Sequence, residues 1–118
     1  MKVTPFGKHL RKLRIDKGVI LRELAEALGV STSFLSAMEL GKKAISQNML
    51  DKISTYFELD NEERGELFQL AEVSKPQEKI DLKGNSQLER ELVLAFARKY
   101  REKTPEQQAK LRKILEED

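Results

Sequence analysis

The segment that decides the fold is residues 21–39, LRELAEALGVSTSFLSAME. Its first half places Leu24 and Leu28 four residues apart, the spacing of a buried helical face. Gly29 follows where the chain has to leave that helix, because glycine adopts positive φ without steric cost. Ser31 then carries a hydroxyl that can cap the N-terminus of a second helix. The segment therefore predicts two short helices joined by a tight turn.

The second of these helices has two faces of different chemistry. The expected inward residues are Phe34, Leu35 and Met38. The outward face lacks the Lys and Glu of an ordinary solvated helix, and its small side chains suit close approach to the base edges of a major groove. The candidate base-reading residues are Ser31, Thr32, Ser33, Ser36 and Ala37. The spacing alone is equally compatible with a helical hairpin that has a small surface and no DNA to read.

The segment also resembles the helix-turn-helix of the lambda-repressor-like, or Xre, family of bacterial and phage regulators. The residues that carry the resemblance are Arg14, Gly18, Glu23, Leu24, Ala25, Leu28, Gly29, Val30, Ser31, Phe34, Leu35, Met38, Glu39, Gly41 and Lys42. The resemblance covers about residues 5–70. It implies an all-α, five-helix domain that binds double-stranded DNA, and a structural ion pair between Arg14 and Glu39.

The chain departs from the family pattern at positions where polar contacts to DNA are usual. Ile20 and Leu21 stand where a Ser/Thr-Gln pair commonly opens the second helix, and Leu40 replaces a common Asn. Two readings stay open. Either the backbone and nearby lysines replace the missing polar contacts to DNA, or Leu21 and Leu40 make apolar contacts with a thymine methyl group or a partner protein.

Positive charge is concentrated in the first part of the chain. Residues 1–48 hold nine Lys/Arg and four acids, net +5, whereas residues 49–85 are net −4 and residues 86–118 net +1. This distribution favours phosphate binding near the helix-turn-helix. The candidate phosphate contacts are Arg22, Lys42, Lys43, Gln47 and Asn48. Gln47 and Asn48 equally fit simple capping of a helix start.

Capping patterns predict the remaining helices. Thr4-Pro5 opens the first helix, Ser46 the fourth, and Asp60 with Glu63 the fifth, which is expected to end near Val73. Residues 1–73 are therefore predicted to form the helix-turn-helix domain. Residues 74–85 are polar and interrupted by proline and glycine, which indicates a linker.

Residues 86–118 are predicted to form a helical hairpin with a dimerisation role. One helix is expected from about Gln87 to Lys103, and Thr104-Pro105 opens the last one. The hairpin carries more apolar surface than it can bury alone, so it should pack on the first domain, on a second subunit or on both. The candidate dimerisation residues are Leu88, Leu92, Phe96, Tyr100, Leu111, Ile114 and Leu115.

Composition excludes several classes of function. The chain has no cysteine and one histidine, which makes disulfides, thiol chemistry and a zinc site improbable. It has no glycine-rich phosphate loop and no nucleophile with a matched base, so neither an enzyme nor a cofactor is expected. No apolar run approaches the length of a membrane span and no signal peptide opens the chain, so the expected location is the bacterial cytoplasm, on the nucleoid when bound.

Three functions remain for such a chain. The favoured one is a dimeric, sequence-specific transcriptional repressor of phage or mobile-element type, bound to a double-stranded DNA operator. The second is a DNA-binding antitoxin whose C-terminal hairpin also binds a toxin. The third is a helical protein-interaction module without DNA binding, an idea supported by the apolar residues at positions 21 and 40.

Overall fold

A computed structural model describes residues 2–118, and every regular element in that range is helical, which confirms the all-α prediction. The helices are α1 (Pro5–Lys17), α2 (Leu21–Leu28), α3 (Thr32–Glu39), α4 (Gln47–Tyr56), α5 (Asn61–Ser74), α6 (Gln87–Lys99) and α7 (Pro105–Glu116), with a 3-10 turn at Tyr100–Glu102. None of these described helices has the length and apolarity needed to cross a bilayer.

Short polar side chains start most of the helices as the sequence predicts. The hydroxyls of Thr4, Ser31 and Ser46 each accept a hydrogen bond from the backbone N–H three residues later, at 3.0–3.1 Å. Such caps satisfy donors that the first helical turn leaves without partners. The start of α2 differs, because Ile20 has no side-chain acceptor. Its backbone N–H donates to Glu23 Oε1 at 3.2 Å, and its carbonyl oxygen accepts the Leu24 N–H at 3.1 Å.

Apolar faces of α1–α5 meet in one core. Helix α1 packs against α3 and α5, and α2 packs against α3 and α4. The turn between α2 and α3 depends on Gly29, whose φ of 73° is left-handed. The buried apolar residues of this core are Phe6, Leu10, Leu24, Ala25, Leu28, Leu35, Met38, Leu50, Ile53, Leu67 and Ala71.

The expected inward position of Phe34 is wrong. Its side chain is 39% exposed, whereas Leu35, Met38 and the charged Glu39 are buried. Because a helix turns through roughly 100° per residue, burying Glu39 centres the inner face of α3 on Leu35. Phe34 then lies at the edge of that face rather than within it.

The end of α3 is hydrogen-bonded to the residue that caps the start of α1. The backbone N–H and the hydroxyl of Thr4 both donate to the carbonyl oxygen of Glu39, at 3.1 and 3.0 Å. Gly7 packs directly on the same carbonyl. A Cβ added there would lie 2.8 Å from the carbonyl carbon of Glu39 and closer still to its oxygen. This contact fixes where α3 ends relative to α1, and only glycine fits it.

The chain divides into two compact units, one ending at Glu78 and the other beginning at Lys79. In the second unit α6 ends at Lys99, four residues earlier than expected. The carbonyl of Tyr100 accepts hydrogen bonds from Lys103 N–H at 3.4 Å and from Gln108 Nε2 at 2.9 Å, which closes a 3-10 turn in place of further α-helix.

Candidate nucleic-acid interface

The outward side of α3 borders a shallow depression of about 360 Å³. Thr32 and Ser33 are exposed, while Ser36 and Ala37 are half-buried. The complete lining is Leu21, Thr32, Ser33, Ser36, Ala37, Leu40 and Lys42. The lining contains no acidic side chain, so its chemistry is hydroxyl, methyl and isobutyl groups beside one cation.

The structure brings together four of the five candidate base-reading residues. The fifth, Ser31, is exposed at the N-cap of α3 outside the lining of the depression. Its hydroxyl oxygen accepts the Phe34 N–H at 3.0 Å, which leaves its hydroxyl proton available to donate. Ser31 therefore caps the N-terminus of α3, and its hydroxyl group is exposed at the start of that helix.

The basic candidates are all exposed. Within residues 2–118, Arg22, Lys42 and Lys43 make no ion pair with an acidic side chain. Lys42 lines the depression, and Lys43 follows it in the loop after α3. Cations without acidic partners in the protein are available to form hydrogen bonds with phosphate groups.

Gln47 and Asn48 occupy the first turn of α4, and both are exposed. The side-chain amide of Gln47 donates to Asp51 Oδ1 at 3.3 Å. Gln47 also lines a different groove, in which α5 contributes Phe68 and Glu72. The structure therefore separates Gln47 from the depression beside α3.

Glu39, the last residue of α3, is a buried charged residue. Its side chain is 2% exposed and receives Arg14 Nη2 on Oε2 at 3.2 Å and Arg11 Nε on Oε1 at 3.1 Å. Arg14 is 15% exposed and Arg11 46%, so the pair with Arg14 is the better shielded one. Arg14 Nε is buried without a hydrogen-bond partner among the described residues. These contacts tie α1 to α3.

Sequence reasoning missed Arg11 as the second partner of Glu39. Positions 11 and 14 are three residues apart, so their side chains share one face of α1. That spacing was visible in the sequence, and it could have indicated a carboxylate held between two guanidinium groups. Two of the nine basic residues in positions 1–48, Arg11 and Arg14, are therefore paired with the buried carboxylate of Glu39.

We expect replacement of Glu39 by Gln to destabilise the first unit by about 3 kcal/mol, because it leaves a largely buried guanidinium without a counter-charge. Arg14→Met should cost more than Arg11→Met, since Arg11 is half-exposed and a solvated pair contributes little. Urea unfolding of the three variants would test the order. Equal costs for Arg11→Met and Arg14→Met would contradict the assignment of Arg14 as the main partner.

The second unit presents an apolar surface of its own. No residue of α6 or α7 is buried within that unit. The rings of Phe96 and Tyr100 stack with centroids 5.2 Å apart, and both rings line an apolar cleft with Leu111 and Leu115. The other candidate dimerisation residues are exposed, namely Leu88, Leu92 and Ile114.

A helix-turn-helix family model matches residues 10–60, a range that includes α2, α3 and α4 in full. No curated protein and no solved structure matches the chain. The match covers the helix pair, the Gly29 turn and the exposed face of α3. Residues 10–60 thus match the model of the lambda-repressor-like (Xre) helix-turn-helix family, whose members are DNA-binding transcriptional regulators.

Proposed function

We propose that the protein is a sequence-specific repressor of phage or mobile-element type that binds a double-stranded DNA operator as a homodimer. The observation that carries the proposal is the depression on the outward side of α3, whose lining has exposed hydroxyls, no acidic side chain and the exposed cation Lys42. Such a surface fits the wide, electronegative major groove.

In this proposal α3 enters the major groove. The hydroxyls of Thr32 and Ser33 reach base edges, because both residues are exposed near the start of the helix. Arg22, Lys42 and Lys43 contact phosphates on either side, and the exposed first turn of α4 adds Asn48. Bound at a promoter, the protein would exclude RNA polymerase from the same stretch of DNA, on the bacterial nucleoid.

The homodimer is supported by the apolar surface of the second unit. Large side chains on α6 and α7 are exposed there, and water contact with such side chains is unfavourable. Covering them with a second copy would supply a two-fold partner, whose α3 reads another half-site about 34 Å along the duplex. Dimerisation by α6 and α7 would therefore double the number of bases read.

Selection of bound sequences from random DNA, followed by affinity measurements across salt concentrations, tests this function. Three phosphate-contacting cations on each subunit should make affinity fall roughly a thousandfold between 50 and 200 mM salt. A defined, two-fold symmetric operator is the expected product of the selection. Weak binding that does not change with salt would contradict the proposal and favour an interaction module without DNA binding.

For the dimer, we expect Leu92→Glu and Leu115→Glu each to weaken self-association by at least tenfold, since a carboxylate would be buried without a partner. Sedimentation equilibrium measures this directly. The matched control is Arg98→Glu, which places the same carboxylate on α6 away from Leu92 and should leave the association unchanged. A dimer that survives Leu92→Glu and Leu115→Glu would place the subunit contact elsewhere.

The exposed apolar hairpin also suits a second candidate, a DNA-binding antitoxin. In that case the surface around Phe96 and Tyr100 would hold a toxin instead of, or together with, a second copy. A chain that binds its operator yet remains monomeric at high concentration would favour this candidate over the homodimeric repressor.

A further inference from the structure

We infer that the apolar residues lining the depression beside α3, namely Leu21, Ala37 and Leu40, receive the C5-methyl group of a thymine in the operator. The inference rests on the proposed DNA-binding function and names the base feature that the site selects. It assigns a specificity role to the two leucines that stand where polar residues would be usual in such a domain.

The placement of the two leucines supports this role. Leu21 is the first residue of α2 and Leu40 follows the last residue of α3. Both are half-buried, so part of each side chain remains accessible on the same side as Ser33 and Ser36. The lining of the depression therefore combines apolar side chains with hydroxyl groups.

Charge around the depression indicates how DNA would approach it. Lys42 is the sole charged residue in the lining, and it lies beside Leu40. A cation in the loop after α3 draws the phosphate backbone to that end of the depression. The base edges, and not the phosphates, then lie over the leucines.

The chemistry of the groove leaves one apolar group for these leucines to contact. In the major groove guanine presents two acceptors, adenine an acceptor and an amino donor, and cytosine an amino donor, whereas thymine presents a carbonyl oxygen together with a methyl group. Covering polar base atoms with leucine would remove their water without returning a hydrogen bond. A thymine methyl avoids that cost, and a serine hydroxyl at the border can still donate to the neighbouring O4.

The inference is tested by replacing thymines of the selected operator with 2′-deoxyuridine, which differs only in lacking the methyl group. At one thymine in each half-site, the full-length protein should bind the uracil-containing DNA about fourfold more weakly for each methyl removed, since a buried carbon is worth about 0.8 kcal/mol. Thymines elsewhere in the operator serve as internal controls and should show no effect.

Variants show whether the leucines are responsible. Leu21→Ala and Leu40→Ala should bind thymine and uracil DNA with nearly equal affinity, because the methyl group has lost its contact. Lys43→Ala should weaken binding to both DNAs equally and keep the fourfold preference, since it acts on phosphate. Circular dichroism would confirm that each variant retains its helices.

The possible outcomes separate this inference from the function on which it rests. Specific, salt-dependent binding with no uracil effect at any position would overturn the methyl contact and leave the regulator intact. A uracil effect that persists in both leucine variants would overturn the assignment to Leu21 and Leu40. Failure to select any sequence would overturn the repressor function and the methyl contact together.

Discussion

Replacing Gly7 by Ala is expected to lower the free energy of unfolding of the helix-turn-helix unit by about 3 kcal/mol, at the upper end of the cost of overpacking. The new Cβ would overlap the carbonyl group of Glu39 and lie 2.7 Å from Val3 Cγ1. The carbonyl group of Glu39 belongs to the backbone, so it cannot move aside as a flexible side chain could. Relief would require α1 to separate from the end of α3, which would break the two Thr4 hydrogen bonds.

The matched control is Gly65→Ala in α5. It makes the same chemical change inside a helix, but an added Cβ there has no neighbour within 4 Å. Alanine should therefore stabilise the unit by roughly 0.5–1 kcal/mol, the ordinary helix-propensity difference. Urea unfolding followed by circular dichroism measures both changes. If Gly7→Ala were as harmless as Gly65→Ala, the close contact between α1 and α3 would not exist in solution.

Replacing Ser33 by Glu is expected to reduce operator affinity by a hundredfold or more. Ser33 is exposed on the outward side of α3, so the carboxylate would face base acceptors and phosphates inside the groove. The fold should be unaffected, because the side chain is solvated and an acidic residue near a helix N-terminus is favourable. Fluorescence anisotropy with the selected operator, together with a thermal melt, separates the two effects.

Gln69→Glu provides the charge control for that measurement. Position 69 is exposed on α5, outside the lining of the depression, and the variant gains the same single negative charge. We expect it to bind the operator within a few-fold of the parent protein at 150 mM salt, where charges more than about 8 Å apart are largely screened. If both variants lost affinity equally, net charge rather than the outward side of α3 would control binding.

Much of the fold was predictable from the sequence because its signals are local. Thr4, Ser31 and Ser46 each satisfy a backbone donor three residues away, so the start of a helix depends on a few neighbouring positions. The turn at Gly29 follows from one residue that tolerates positive φ. The end of α6 was not predicted in this way, and part of the bonding at the turn that follows it is non-local, since Gln108 of α7 donates to the Tyr100 carbonyl.

The inner face of α3 shows where such local reasoning fails. A search for apolar residues assigns Phe34 inward and leaves Glu39 out of the core. In the structure Glu39 is buried between Arg11 and Arg14 of α1, and this pairing makes a charged residue acceptable inside. The orientation of a helix thus depends on partners that are distant in sequence, and hydrophobic spacing does not describe them.

For the proposed DNA-binding surface, the sequence by itself determined the outward residues of α3, the surrounding positive charge and the order of the helices, since these follow from periodicity, composition and capping. Only the tertiary structure decided that Leu21 lines the same depression as Ala37 and Leu40, and that Gln47 lines another groove. It also decided that Gly7 packs against the backbone carbonyl of Glu39. The physical reason is that these contacts join separate helices. Their geometry is set by how the apolar faces and the buried ion pair pack together, and no single helix contains that information.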